Sequence, residues 1–533
     1  MKELQYWTEQ IRRRRISRRE FLGRAAVLGL SGAAALKLLT RAGIAAEGKK
    51  GGSARFGLAH GSTTDTLDPS EYPDSFTQTA FWGTLSNGLT EVDHLGNISG
   101  DAAESMESSD GTRKWVFKLR KGLTFHNGRT VTSGDVVASF RHHMGADSKS
   151  AIKDLLEPIS DITADGPQTI VFTLKSGSAD FPYLVSDYHL PIMPALEGGG
   201  ADWRSGIRTG PFSLERFEPG VAAKFKRNPN YHKEGRPYLD EVEFLTLADP
   251  AARQSALITG DVHYIARADL KTLELLKRTP EIEVDEVTGN GHYVLPMHCD
   301  VPPFDNVDVR LALKYAIDRD EIVKKIFLDH ATAGNDNPIP PPPAVKYAVD
   351  PKPRFAYDPD KAKHHLGKVG LAGLKVDISV SDAAFAGAVD TAILYKEQAA
   401  KAGIDINVIR EASDGYWDNV WLKKPWCASY WGGRPTCDWM FTTAYDADAP
   451  WNESHWKNPR FNELLAAARG ETDEPKRAAM YAEMQQLVHD DGGTIVLVFN
   501  NIVSAHSKAL AHNEVAANWE NDGMKIAERW WFA

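Results

Sequence analysis

Between residues 375 and 410 the hydrophobic pattern changes period twice. Lys375-Val376-Asp377-Ile378-Ser379-Val380 alternates in the manner of a strand, a helical stretch runs from about Ala388 to Ala402, and Asp405–Arg410 alternates again. Period two marks a half-buried strand and period 3.6 an amphipathic helix. Strand, helix, strand in that order is a βαβ unit, whose two strands lie parallel under a crossover helix. The chain is therefore α/β. Ser53–Leu58, Trp115–Leu119, Thr169–Leu174 and Glu241–Leu245 read as further strands, and the uniformly apolar Ile495–Phe499 as a buried one. Ser133-Gly134-Asp135 opens a helix from Val136 to His143. Val309, Ala312, Leu313, Ala316 and Ile317 fall at helical spacing, and a second helix follows from Glu321 to Phe327. The proline-rich run 338–343 reads as an extended loop.

The chain has 533 residues, which at about 150 residues per domain suggests three domain-sized units. No linker separates them and no repeat is visible, so lobes that share the chain discontinuously are expected. Hydrophobic residues are 42% and charged residues 25%, the balance of a globular domain with a large core. After residue 50 no stretch approaches the roughly 20 apolar residues of a membrane span.

The first 46 residues carry ten Lys or Arg and three Glu, a net +7, which leaves the remainder at −17 within a total of −10. A basic region, the Ala/Gly/Leu run Ala25–Leu36 and then Ala42-Gly43-Ile44-Ala45-Ala46 read as an export signal cleaved after Ala45 or Ala46. Ser17-Arg18-Arg19-Glu20-Phe21-Leu22 resembles the twin-arginine motif, with Gly23 where a Lys is often found. The three cysteines, Cys299, Cys427 and Cys437, lie far from that point, so no lipid anchor is expected and the mature protein is read as free in the periplasm. Cys427 and Cys437 are left open as a possible disulfide pair. A mature chain near −17 repels nucleic acid and anionic membrane, so neither is expected as a partner.

Catalytic signatures are missing. No Gly-x-Ser-x-Gly elbow, His-Glu-x-x-His helix or Cys-x-x-Cys occurs. Gly43–Lys50 nearly spells a phosphate loop, but it ends in Lys, follows no strand and straddles the cleavage point. His142-His143 and His364-His365 are adjacent pairs, which on a helix point about 100° apart and chelate poorly; they read as surface histidines. Asp490-Asp491 and Asp318/Asp320 read as solvated helix-end charges. No enzyme, cofactor or resident metal is expected.

Trp115–Gly128 followed by Val131-Thr132-Ser133-Gly134-Asp135-Val136 resembles the signature of the peptide/nickel solute-binding proteins of ABC importers, extracellular family 5. Thr209-Gly210-Pro211-Phe212, Arg227-Asn228-Pro229-Asn230-Tyr231, Val309–Leu313, Ala316–Asp320 and Tyr357–Ala362 follow in the family's order. The resemblance covers nearly the whole mature chain. It implies a two-lobed periplasmic-binding-protein fold with an extra first-lobe subdomain and a cleft between the lobes. The expected division is 1–46 signal, 47–290 first lobe, 291–498 second lobe, and 499–533 returning to the first, with hinges near Gly289–Pro296 and Val498–Val503. The implied function is a monomeric periplasmic receptor that closes on a small solute and delivers it to an ABC permease.

The resemblance puts the ligand-binding segment at Tyr430–Trp439. Gly432 and Gly433 would let backbone approach a ligand, and Arg434 offers a planar fork for a carboxylate or phosphate. Trp417, Trp421, Trp426, Trp431, Trp439, Trp451 and Trp456 surround the segment in sequence and offer stacking walls. Dipeptide-binding relatives hold the ligand's ammonium with an acid near the position of Trp431, and its carboxylate with an arginine where this chain reads Ser381-Asp382-Ala383. The charges are swapped here: Asp382 would take a cation and Arg434 an anion. A small peptide-like or acidic solute fits, including an opine or another amino-acid conjugate. The plainer alternative is an internal Arg434–Asp438 or Arg434–Asp382 ion pair. A nickel–metallophore or haem ligand would instead require His292, His298 or His455 to converge in the cleft. Asn87, in Leu85–Leu89, and Thr66–Pro69 match first-lobe loops that face the cleft in relatives.

Overall fold

The computed structural model describes residues 48–533, apart from Pro73, Ala146, Asp147, Pro343, Ala344 and 413–415, together with Trp7 and Arg24. The export signal read at 1–46 therefore lies outside the described residues, those two positions aside. The expected strands form where alternation placed them: Ser53–Leu58, Lys114–Leu119, Thr169–Leu174 and Glu241–Thr246. The βαβ unit is Leu374–Val380, Ala388–Ala400 and Ile404–Arg410, with Leu374 opposite Ile404 in a parallel pair.

The strand read at Ile495–Phe499 is far longer, Thr494–Ser507. Its second half is polar at Asn500, Asn501, Ser504 and His506, so local pattern hides it. It pairs antiparallel with Ile282–Pro296, from Ile282 opposite Ser507 to Pro296 opposite Thr494. These two strands are the spine of a nine-stranded sheet. On one side of them run Tyr264–Ile265, Ser53–Leu58, Glu241–Thr246, Ala222–Arg227 and Phe212–Glu218; on the other, Ser429–Trp431 forms the edge.

The spine passes from one core to another. Ile282, Val503 and Ala505 pack with Leu257, Val262 and Leu273. Leu295, Ile495, Leu497 and Val498 pack with Leu313, Ile378, Tyr395 and Trp426, and Val294, Val496 and Phe499 with Met440, Phe461 and Tyr481. Between these halves the pairing jumps from Thr288–Asn501 to His292–Phe499, leaving Gly289-Asn290-Gly291 outside the ladder. The result is a two-lobed α/β fold. A four-stranded antiparallel sheet hangs on the lobe that holds Ser53–Leu58. Helix Ser133–His143 covers it, opened by a capping box in which Thr132 and Asp135 satisfy each other's backbone N–H. Phe117, Phe140, Phe172 and Phe181 fill its core.

Buried charge fastens the C-terminal segment to the first lobe. Lys525 lies 3.0 Å from Asp101 and 3.1 Å from Glu91, Lys233 lies 2.7 Å from Glu91 and 3.2 Å from Glu528, and Arg236 lies 3.0 Å from Glu528. Three cations face three carboxylates, so each charge has the partner that burial demands.

One point the sequence left open is decided and one expectation is corrected. Cys427 and Cys437 are separate buried thiols, as Cys299 is also free; the first sits in the core around Trp426 and the second in that around Met440. Burial raises both thiols well above their ordinary range. His143 is not on the surface but buried, its Nδ1 2.8 Å from the Ser150 hydroxyl, because the helix turns that face into the subdomain core.

Candidate ligand-binding site

Ser429–Trp431 lies beside the spine, with His292 opposite Trp431 and Tyr293 opposite Tyr430. The chain then leaves the sheet through Gly432-Gly433 and re-enters order at helix Cys437–Ala444, whose start is capped by the Thr436 hydroxyl accepting from Trp439 N at 3.1 Å. Gly433 meets the spine where the ladder is broken: a Cβ there would stand 2.4 Å from the Asn290 Cβ. Arg434 donates from Nη1 to Gly432 O at 3.0 Å and lies over the Trp439 ring at 5.9 Å.

Polar atoms without hydrogen-bond partners gather at this crossing. They are Arg434 Nε, both Nδ2 and Oδ1 of Asn290, and His292 Nε2. Asn290 and His292 are buried. Orphaned buried polar groups cost free energy unless something satisfies them. Burial lowers the His292 pKa to about 4, with a smaller push from Arg434, so its ring is neutral near pH 7. Burial also pulls Arg434 below its ordinary value, against the opposing fields of Tyr188, Asp187 and Tyr430.

The first two of those groups come from the other lobe. Tyr188 packs at 4.2 Å on His189, which takes Asp187 at 2.7 Å, and edge-on at 5.7 Å to Trp519. Next to Trp519, Glu520 holds Arg267 at 2.6 Å. Below the crossing, Trp421 and Trp431 both donate their indole N–H to Glu453, at 2.6 and 2.7 Å. Trp451 lies about 6 Å from both rings, 6.1 and 6.2 Å, and is 47% exposed. One buried carboxylate thus orients an aromatic corner with one open wall.

The other expected residues go elsewhere. Asp438 does not pair with Arg434; it faces Arg469 at 3.3 Å, and burial pushes its pKa up to about 6 despite that partner. Asp382 is exposed and accepts from Val389 N at 3.3 Å, near the start of the Ala388–Ala400 helix, so neither anticipated Arg434 ion pair forms. Asn87 donates to Asp101 at 3.0 Å inside the buried ion cluster, which withdraws it from the Arg434 region. His455 stacks on His298 at 3.9 Å and takes Asp300 at 2.9 Å, while His292 stands apart beside Phe499. Trp426 and Trp456 are core. The side chain of Trp417 lies outside the described residues.

The lobes also touch away from the crossing. Asp180, beside the four-stranded subdomain, pairs with Arg477 of helix Glu474–Asp491 at 2.9 Å, and Ala179 N donates to Arg469 O at 2.7 Å.

Residues 97–453 match the model of the bacterial extracellular solute-binding proteins, family 5 (middle). The chain belongs to that family. This family 5 protein is 28% identical over 470 residues to the glutathione-binding protein GsiB of Shigella flexneri, an alignment covering 85% of this chain and 90% of GsiB. Its fold is similar to that of the periplasmic binding protein DppA of Helicobacter pylori in complex with the peptide STSA (TM-score 0.71, 23% identity, 90% of this chain and 98% of DppA). AgaA of A. tumefaciens in complex with agropinic acid is similar to the same degree (TM-score 0.71, 24% identity, 90% and 99%). The family 5 solute-binding protein described here is the periplasmic substrate-binding component of an ABC importer. Among the described residues no helix is long and apolar enough to cross a membrane.

Sequence reading had singled out Arg434, Gly433, Trp421, Trp431, Trp439 and Trp451 of this candidate site. It missed Asn290, Tyr188 and Glu453. Gly289-Asn290-Gly291 carried a signal, a glycine-flanked amide interrupting a strand. Glu453 and Tyr188 carried none, because their partners stand far off in the chain.

Proposed function

We propose that this protein binds a peptide-like solute through a carboxylate held by Arg434, with Asn290 and His292 hydrogen-bonding the solute's amide or hydroxyl groups. One observation carries this reading: four unpartnered polar atoms on Arg434, Asn290 and His292 collect where Gly433 crosses the broken ladder. A neutral imidazole and a primary amide both donate and accept, which suits a peptide group, and an unshared guanidinium suits an acid. The aromatic corner of Trp421, Trp431 and Trp451 supplies a wall for an apolar or ring-bearing part. The binding of glutathione by GsiB and of agropinic acid by AgaA supports an acidic, amino-acid-derived ligand. The expected division into lobes at 47–290, 291–498 and 499–533, export by the twin-arginine route and action as a monomer belong to the same proposal. Closure pivots on the two spine strands and involves no covalent step.

The test is a thermal-shift series on the purified protein with glutathione, dipeptides and opines. A ligand at 100 times its Kd stabilises by about 2.7 kcal/mol. An acidic conjugate should raise the Tm, and Arg434→Ala should abolish that rise. If uncharged or dipeptide ligands bind equally well to Arg434→Ala, the carboxylate anchor is wrong.

A further inference from the structure

Asp285 and His506 sit on the two spine strands, in the half remote from the Arg434 site. Asp285 is opposite Ser504 and Glu283 opposite His506, so Asp285 and His506 are diagonal neighbours on one face of the ladder. His512 arrives from just beyond the short strand Leu510–Ala511, which is held by Trp531–Phe532. The Nε2 atoms of His506 and His512 lie 3.3 and 3.2 Å from the same oxygen, Asp285 Oδ2.

The protonation pattern makes this meeting unusual. His506 Nδ1 is 2.9 Å from Ser507 O, and His512 Nδ1 is 2.5 Å from Asn513 O. A carbonyl only accepts, so each Nδ1 carries the hydrogen, and in a neutral ring each Nε2 presents a lone pair. Two imidazole lone pairs then face one carboxylate oxygen. Neither His506 Nε2 nor Asp285 Oδ2 has a hydrogen bond, though both atoms are buried. Three converging acceptors repel unless a metal ion, or a proton on one of the rings, lies among them.

We propose that Asp285, His506 and His512 bind a divalent transition-metal ion of the Zn2+ class. The three ligand atoms lie within 4.8 Å of one another. Bonds of about 2.0–2.1 Å in a tetrahedron place ligand atoms about 3.3 Å apart, which matches both His–Asp contacts. Two imidazoles and one carboxylate favour zinc, nickel or cobalt over magnesium or calcium. Backbone carbonyls on both Nδ1 atoms are the outer partners that orient metal-binding histidines. Trp530 fixes the rings, stacking on His512 at 4.2 Å and meeting His506 edge-on at 5.1 Å. Asp285 and His512 keep 16% and 17% exposure of their side chains, which leaves a fourth position open to water. The ion would staple both spine strands to the C-terminal segment. His298, Asp300 and His455 form a second group, but its imidazoles lie face to face, 24° from parallel, and His455 Nδ1 already contacts Asp300.

The experiment uses the purified protein stripped with EDTA and titrated with Zn2+ by calorimetry and with Co2+ by visible absorption. The expected result is one ion per chain, Co2+ bands of tetrahedral strength and a raised Tm with Zn2+. His512→Gln and Asp285→Asn should each weaken Zn2+ binding at least about tenfold, while His455→Gln leaves it unchanged. Fold is checked by the Tm of each variant in EDTA. If the variants do not fold, the zinc absorption edge of the loaded wild type decides, with two imidazole ligands expected and none overturning the proposal. Failure of the stripped protein to take up either metal, wild-type affinity in His512→Gln, or loss of binding in His455→Gln would also overturn it. The three groups would then share a proton rather than an ion.

Discussion

Gly433 and Asn290 touch backbone to side chain across the point where the spine ladder breaks. A Cβ at position 433 would lie 2.4 Å from the Asn290 Cβ and 3.1 Å from its carbonyl carbon. No rotamer change relieves a clash with a Cβ and backbone atoms. Gly433→Ala should therefore push the 432–434 turn off the spine and cost about 1–3 kcal/mol. It should also move Arg434 away from Asn290 and His292, so ligand affinity falls with it. Thermal unfolding and ligand titration of the variant check this; an unchanged Tm contradicts the geometry.

Asp180 and Arg477 hold the subdomain against the second lobe at 2.9 Å, both side chains nearly buried. Burial raises the Asp180 pKa, with Arg477 pulling against it. Asp180→Asn keeps the shape and removes the charge that Arg477 needs. The closed form should lose population, and apparent affinity falls in proportion to it. Small-angle scattering should show a larger radius of gyration without ligand, converging on wild type at saturation. Equal radii in the unliganded proteins would show that this pair does not favour closure.

Lys525 touches Asp101 and Glu91 at 3.0 and 3.1 Å in the buried cluster. Lys525→Met leaves three carboxylates facing two cations, and breaking a buried pair in this way costs about 3–5 kcal/mol. Removing Asp101 as well, in Lys525→Met/Asp101→Asn, should recover part of the loss. Denaturant unfolding of the single and double variants measures both.

Acid should destabilise the fold through its buried histidines. Burial lowers His292, His126 and His298 each to about 4, below the unfolded value of about 6.5. The unfolded chain takes up these protons first, so stability is full above pH 6.5 and falls as pH drops through 4. His292 alone accounts for roughly 3 kcal/mol of that fall. Asp438 acts in the opposite sense. Its pKa of about 6 lies above the ordinary 3.8, so the stability it contributes is present at low pH and is lost as pH rises through 6. Unfolding free energies from pH 7 to 4 should show a shallower acid limb in His292→Gln and a steeper one in Asp438→Asn.

Elements confined to ten or fifteen residues are legible in the sequence. Alternation marked Ser53–Leu58 and Thr169–Leu174 without error in their bounds, and the βαβ unit came within one or two residues at each end. The Thr494–Ser507 strand was legible only in its apolar half, since its polar half takes its strand character from Ile282–Thr288 across the ladder. At the candidate site, Arg434 was singled out from the family segment, and the alternative of an internal pair with Asp438 is the one the packing overturns. Asp438 went to Arg469 because helix Cys437–Ala444 turns its carboxylate toward helix Pro459–Gly470.

What the amino-acid order determined by itself is local and periodic: the α/β class, the helix starts at capping residues, the family motifs in their order and the absence of catalytic signatures. Tertiary structure alone decided which distant groups meet. Asn290 came to Gly433, Glu453 to Trp421 and Trp431, and Asp285 to His506 and His512. The physical reason is range. Backbone periodicity and capping act over one or two turns of chain, whereas burial makes a polar atom seek whatever partner the packing brings, at any separation in sequence.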